Sequence, residues 1–263
     1  MWTVATYEPT TLFSLRPALS TTSGGQTLVV PTPFAVKMAL LDVAIRSWGL
    51  AQGQAWFPAI RDLQLAVAGP RRLVVSHTFI KVLRLKKRGP SDDNGSGIVG
   101  PLGQTIAFRA FVQFAGPLRL ALAPGGAVIP AVGARNRKAA TTAPPADLPL
   151  AALLAGVSYL GKRGGFMQLQ DIPVTVDALP AYPAGEFTLL TAAQPAFAAD
   201  GLLQLLDDCS PTLRFAQADI YDPARITVGS DRLLRPVVLP YRLIRSSRSF
   251  SLYEHITPEV AGQ

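Results

Sequence analysis

Cysteine is nearly missing from this chain. Cys209 stands alone among 263 residues, so no internal disulfide can form and a cysteine-based zinc site is excluded. Histidine is almost as scarce. With only His77 and His255, a histidine-based metal site is not expected, and no cofactor is expected either. Charge is sparse. Asp, Glu, Lys and Arg make up 16% of the residues yet leave a formal net charge of +8, so the excess gathers in patches and a polyanion is the first partner to consider. Long apolar runs are lacking too. The longest leucine–alanine stretch, Leu148 to Gly161, is too short to span a bilayer. Met1 to Glu8 lacks the basic-then-apolar build of a secretory signal. We therefore expect a cytoplasmic protein with no membrane partner. No internal repeat and no heptad run is present, while 49% hydrophobic residues suffice for a sizeable core.

What is there begins with strand material at Trp2 to Tyr7 and Leu12 to Leu19, rich in Thr, Val, Tyr and Phe. The clearest helix follows. Thr32 suits an N-cap, Pro33 suits N1, and Gly49 ends it. Phe34, Met38, Leu41, Ile45 and Trp48 recur at helical spacing and predict one buried face. Lys37 flanks that face, either as an ordinary surface lysine or as a phosphate contact near the helix's positive end. Ile60 to Ala68 reads equally as strand or short helix. From Arg71 to Arg88 there are seven basic residues and no acid, with apolar residues mostly alternating as in a strand with one wet face. A polar Gly/Ser/Asp loop (89–97) and renewed alternation from Thr105 to Phe114 complete an extended hairpin with a basic base. Leu118 to Leu122 is strand. A Pro/Ala-rich linker with a short basic loop at 135–138 leads to a helix capped by Asp147, with Leu150, Leu153, Leu154, Val157 and Leu160 on its apolar face.

The stretch Tyr159-Leu-Gly-Lys-Arg-Gly-Gly-Phe-Met-Gln-Leu169 then reads as helix end, basic glycine turn and strand start. Gly161, Gly164 and Gly165 can take positive φ and leave backbone N–H groups uncovered, with Lys162 and Arg163 at the apex. Such a turn suits a phosphodiester backbone. The same residues also suit a helix C-cap, and both readings stand. Gly156 to Lys162 fits the first part of a P-loop, but Arg163 stands where Ser or Thr should hold magnesium, and the helix precedes the glycines rather than following them. Beyond the turn, Phe166 to Pro173 reads as strand with Phe166 as core, Pro180 to Pro183 as turn, and Thr188 to Leu190 as short strand. Gly201 to Asp208 is expected as a leucine-rich helix, Val237 to Ile244 as a strand, and Phe250 to Ile256 as a final strand. The end is basic again, with Arg232, Arg235, Arg242, Arg245 and Arg248 and no acid between Asp231 and Glu254.

The order strand, capped helix, hairpin, helix, glycine turn, strand is a split βαβ plan compatible with a ferredoxin-like or RRM-like sheet. The Pro-Thr-Pro-Phe-Ala-Val-Lys-Met-Ala-Leu-Leu-Asp helix, the basic hairpin and the Tyr-Leu-Gly-Lys-Arg-Gly-Gly-Phe turn together resemble the RAMP superfamily of CRISPR proteins. Size and the arginine-rich end look most like its Cas-five family, a subunit of type I Cascade. The resemblance implies an α+β fold. Residues 1–180 would form a ferredoxin-like RAMP domain with a thumb hairpin at about 71–114, and residues 181–263 a C-terminal β extension packed on it. It implies a non-catalytic subunit that grips the 5′ handle of the crRNA and touches the large subunit, the adjacent backbone subunit and target DNA near the protospacer-adjacent motif. Carried over by position, Gly161, Lys162, Arg163, Gly164 and Gly165 face the handle. Lys81, Arg84, Lys86, Lys87, Arg88 and Arg109 lie on the thumb, Lys37 sits near the RNA, and Arg242, Arg245 and Arg248 join it. Tyr159 or Phe166 would read splayed bases, either being equally a core aromatic, with core the favoured reading for Phe166. Two alternatives from the same superfamily stay open: a backbone subunit that polymerises along the guide, and a metal-independent endoribonuclease using His77 with Lys81, or His255 beside Tyr253. A basic structural module holding rRNA is the alternative from another class.

Overall fold

Strand β1 (Trp2–Pro9) sets the architecture, because its residues alternate between a buried face and a partly buried one. The computed structural model describes residues 1–20, 25–85, 102–125, 148–161, 164–194, 196–219 and 221–256. After β1 come α1 (Pro33–Trp48), α2 (Leu50–Arg61), β2 (Gln64–Ala68), β3 (Arg72–Leu85), β4 (Leu102–Phe114) and β5 (Leu118–Ala123). Then follow α3 (Leu150–Ala155), β6 (Met167–Leu169), β7 (Val174–Val176) and β8 (Thr188–Leu189). The chain continues through β9 (Leu202–Cys209), α4 (Phe215–Ala218), β10 (Arg232–Leu239), β11 (Tyr241–Ser246) and β12 (Phe250–His255). The result is a mixed α and β protein, rich in sheet.

The main sheet runs β6–β1–β5–β2–β8, with β7 also paired to β1. Both β1 and β2 pair antiparallel to β5, so they run parallel to each other with β5 between them: a split βαβ. One face (Ala5, Tyr7, Leu65, Leu120, Leu122) packs with α1 and α3 into the large core. Tyr7 reaches through it to donate its hydroxyl to the Leu154 carbonyl at 2.7 Å. On the other face Ala66, Ala68 and Ala121 leave room for Phe187 to cover the sheet. The β3–β4 hairpin leaves between β2 and β5. It pairs through thirteen facing residues, and β12 and then β11 add to its free edge.

Helix α1 starts where its cap chemistry says. The Thr32 side chain accepts from the Ala35 N–H at 3.1 Å, Pro33 follows, and Gly49 (φ 87°) stops it. The buried face is another matter. Of the expected residues only Leu41 is buried, beside Val36, Leu40, Val43 and Ala44, whereas Phe34, Met38 and Ile45 are only partly buried and Trp48 is exposed. The helix is apolar nearly all round, so spacing alone could not choose a face. Lys37 lies on the inner side. It is 2% exposed, and its Nζ donates to Asp208 Oδ1 at 2.6 Å. The expected phosphate contact at Lys37 is therefore corrected: the ammonium is buried and already paired.

Other expectations change too. Residues 50–59, which carried no expectation, form most of α2, with Gly53 and Pro58 inside it. Gly53 is needed because a Cβ there would collide with Ile45 of α1, so the missing side chain lets the two helices touch. Gly201 to Asp208 is not a helix: β9 pairs with β10 over its whole length, and that ladder overrides leucine's helix preference. The strand expected at 237–244 is two strands, broken at Pro240, which lacks a ladder donor. Leu12 to Leu19 contributes only single bridges, at Phe13 and Leu15. Asp147 lies outside the described residues, and α3 begins after Pro149.

Residues beyond 180 share the core of those before. Leu206, Cys209, Leu213, Val237 and Leu239 pack in the same cluster as Val36 and Leu40. The acids Asp207 and Asp208, 3% and 2% exposed, are held by cations: Lys37 and Arg235 on Asp208, and Arg232 on Asp207. No helix among the described residues is long and apolar enough to cross a membrane.

Removing one partner of a buried pair leaves the other charge unpaired. Lys37→Ala should lower unfolding free energy by about 3–5 kcal/mol, read from the urea midpoint. Lys37→Met, which refills the volume and leaves Arg235 on Asp208, should lose less. Burial also pushes the Cys209 thiol up to about 12. The native chain should therefore resist iodoacetamide at pH 8, and take up one equivalent only in denaturant, as counted by mass spectrometry.

Candidate nucleic-acid interface

The glycine turn is held from below by the chain leaving β1. Thr10 N–H donates to the Phe166 carbonyl at 3.1 Å, and the Thr11 hydroxyl to the Gly164 carbonyl at 2.6 Å. Leu160 N–H donates to the Gly165 carbonyl at 3.0 Å and closes the turn. Gly161 and Gly164 take φ of 81° and 107°, where a side chain is strained, while Gly165 is buried in the closure. A Cβ on Gly161 would also come within 2.8 Å of Leu15 Cδ1. The turn, in other words, sits directly on the 14–18 segment.

Between them opens a cleft of about 510 Å³. One wall is the first turns of α1, with Thr32, Phe34, Ala35 and Met38. A second is Arg109 and Ala110 of β4. The third is the glycine turn, through Tyr159 and Gly161. Ser14 to Ala18, Gly25, Gln26 and the pair Asp207 and Arg232 complete the lining. The three stretches singled out in the sequence thus meet at one place. Ser14 ties its segment to the hairpin by donating to the Ala110 carbonyl at 2.9 Å. Phe13 pairs with Val112 on the same strand.

Arginines supply the charge. Arg16 is exposed, and Arg109 is half-buried with Nη1 donating to the Phe108 carbonyl at 2.8 Å. Arg232 donates from Nε and Nη2 to Asp207 Oδ2 at 3.0 and 2.6 Å, and lies over the Phe34 ring at 4.2 Å. Neither Arg16 nor Arg232 was picked out as a site residue. Arg16 sat in a stretch read only as strand, and Arg232 reaches the cleft only through the β9–β10 pairing, which has no local signature.

The other expected residues are scattered. Lys81 and Arg84 are exposed but point to opposite faces of the hairpin, Arg84 sharing its face with Arg109. The Lys81 face is not simply wet. Phe79, Leu83, Leu85, Ile106 and Phe108 stand exposed along it, with the Phe79 and Phe108 rings 3.9 Å apart and tilted by 48°. Arg242 and Arg245 lie on β11, and Arg248 in the turn after it; all are exposed, and none lines the cleft. Their sheet also holds Glu254, whose carboxyl is kept below the usual range by its hydrogen bond from Arg72. Phe166, expected in the core, is 49% exposed, because Met167 takes the buried position in that strand. Tyr159 is half-buried and faces the cleft. Lys86, Lys87, Arg88, Lys162 and Arg163 lie outside the described residues. His77 is exposed on the Lys81 face of the hairpin. His255 is packed edge-on against Tyr241 at 5.3 Å, with its pKa lowered by burial.

The turn makes a contrast that can be measured. Gly164→Ala, where a Cβ meets no described atom within 4 Å, carries the backbone cost alone, about 1–2 kcal/mol. Gly161→Ala adds the collision with Leu15, and its thermal midpoint should fall further.

No family model matches the chain. Over 114 residues it is 29% identical to CRISPR-associated protein Cas5 of Archaeoglobus fulgidus, a stretch that is 43% of this chain and 47% of that protein. The chain thus spans about half the length of the curated relative it matches. A solved CRISPR protein from Archaeoglobus fulgidus superposes with a TM-score of 0.40 at 12% identity, covering 97% of this chain and 91% of that one. A chain of a CRISPR RNA-guided surveillance complex superposes with a TM-score of 0.44 at 14% identity, covering 90% of each. In sequence, then, this chain is similar to a CRISPR-associated Cas5 protein, the kind of protein that its capped helix, basic hairpin and glycine turn resemble.

Proposed function

We propose that this chain is the non-catalytic subunit of a CRISPR Cascade complex that grips the 5′ handle of the guide RNA in the cleft between α1, the hairpin and the glycine turn. The observation that carries the reading is that convergence: three stretches far apart in sequence, all carrying the resemblance, line one arginine-bearing cleft. On this reading the β6–β1–β5–β2 sheet with α1 and α3 is a ferredoxin-like RAMP domain. The β3–β4 hairpin, inserted between its second and third strands, is the thumb. Arg16 and Arg109 supply phosphate contacts at the cleft, and Tyr159 offers a face to a splayed base. Lys162 and Arg163, outside the described residues, are assigned to the handle by the resemblance alone. Arg242, Arg245 and Arg248 lie off the cleft and serve a different stretch of nucleic acid, the target DNA near the protospacer-adjacent motif included.

The exposed apolar ladder on the hairpin supports a protein partner on that face, because monomeric proteins seldom leave such patches uncovered. The adjacent backbone subunit is the partner we assign to it, with the large subunit elsewhere on the chain. The assembly is a cytoplasmic ribonucleoprotein in which this chain occurs once.

Co-expression with a CRISPR array transcript and partner subunits, followed by sequencing of the bound RNA, tests the reading. Mature guides should be recovered at one copy of this chain per guide, and lost with Arg16→Glu and Arg109→Glu together. In the isolated chain each reversal should also reduce the log–log salt slope of single-strand binding by about 0.7. Many copies per guide would instead mark a backbone subunit. RNA cleavage abolished by His77→Ala would mark a nuclease.

A further inference from the structure

The arginines of the cleft are not equivalent. Arg232 is the one with its plane fixed. Asp207, 3% exposed, holds Nε and Nη2, the Phe34 ring backs the guanidinium at 4.2 Å, and 27% of the side chain remains accessible at the cleft. Asp207 cannot easily give way. It lies on β9 next to Asp208, which is locked to Lys37 and Arg235, and β10 pairs with β9 along its whole length. The same carboxylate cancels the charge of Arg232 and takes two of its donors. What remains is a rigid, planar, delocalised surface with an aromatic ring beneath it. That is a poor phosphate clamp and a good stacking surface, since bases stack on guanidinium planes as they do on aromatic rings.

We propose that Arg232, oriented by Asp207 and backed by Phe34, is a stacking platform for one unstacked base of single-stranded RNA. The assignment deepens the guide-binding reading and rests on it. The cleft, about 510 Å³, falls in the range that takes a small ligand, so a single nucleotide fits its size. Charge at the rim and stacking inside then separate: Arg16 and Arg109 act on the backbone, and Arg232 acts on the base.

The test uses the full chain and two fluorescein-labelled probes of equal phosphate count, a single-stranded oligoadenylate RNA of about ten nucleotides and an abasic ribose-phosphate oligomer of the same length. Arg232→Lys keeps the charge and can still reach Asp207, but loses the plane. It should weaken binding of the oligoadenylate by about tenfold. It should leave the abasic oligomer bound as before and the salt slope unchanged. Phe34→Leu should shift the oligoadenylate in the same direction, with the abasic probe again unmoved. Equal weakening of both probes by Arg232→Lys, or full affinity kept by the lysine, would make Arg232 a charge contact or a fold element and overturn the platform. If wild type binds both probes equally, the platform fails while RNA binding stands. If it binds neither, the guide-binding reading fails and the platform with it.

Discussion

A lysine ammonium with 2% of its surface exposed is tolerable only beside an anion, and Lys37 has one in Asp208. That pair joins the first helix to a strand 171 residues further on. Arg235 shares the same carboxylate from the neighbouring strand, so three elements meet at one buried charge cluster. Desolvating these groups is costly, and the cost falls on any arrangement that leaves one of them without its partner. The pair therefore specifies how α1 seats on the β9–β10 ribbon. Once α1 is seated, Phe34 comes under Arg232, and the wall of the cleft is built.

The rest of the cleft follows from that seating. Leu15 lies under Gly161, Ser14 hangs from β4, and the turn is tied to the end of β1. No wall is independent of the others, which is why residues from seven stretches of the chain line one space. The charge pattern is graded rather than uniform. Arg16 stands in solvent, Arg109 is half-covered, and Arg232 is neutralised. A polyanion approaching such a surface meets charge first and planar surfaces afterwards. The hairpin carries a different chemistry on each face, cations on one and an apolar ladder flanking Lys81 on the other. On the proposed function, one nucleic-acid partner and one protein partner would account for both.

Much of this was legible beforehand, and what was legible was local. Thr32, Pro33 and Gly49 delimited α1 because capping is a contact between near neighbours. Alternation located the hairpin because a strand's two faces repeat every second residue. The errors share a cause. Gly201 to Asp208 looked helical by propensity and is a strand by pairing. Residues 50–59 drew no helix reading, and Gly53 there is what lets α2 lie against α1. Phe166 looked like core until the register of its strand buried Met167 instead.

By itself the sequence determined the sparse positive charge, the lack of an internal disulfide, the capped helix, the long hairpin and the glycines of the turn. Each of these depends on composition or on contacts within a few residues. Tertiary structure alone decided that Lys37 is a buried anchor rather than a phosphate contact. It also decided that Arg16 and Arg232 line the cleft while Arg242, Arg245 and Arg248 do not. Those outcomes depend on which strands pair and which face of an all-apolar helix turns inward. Neither leaves a periodic trace, because the partners stand up to 171 residues apart and the choice is made by burial and charge neutralisation, not by spacing.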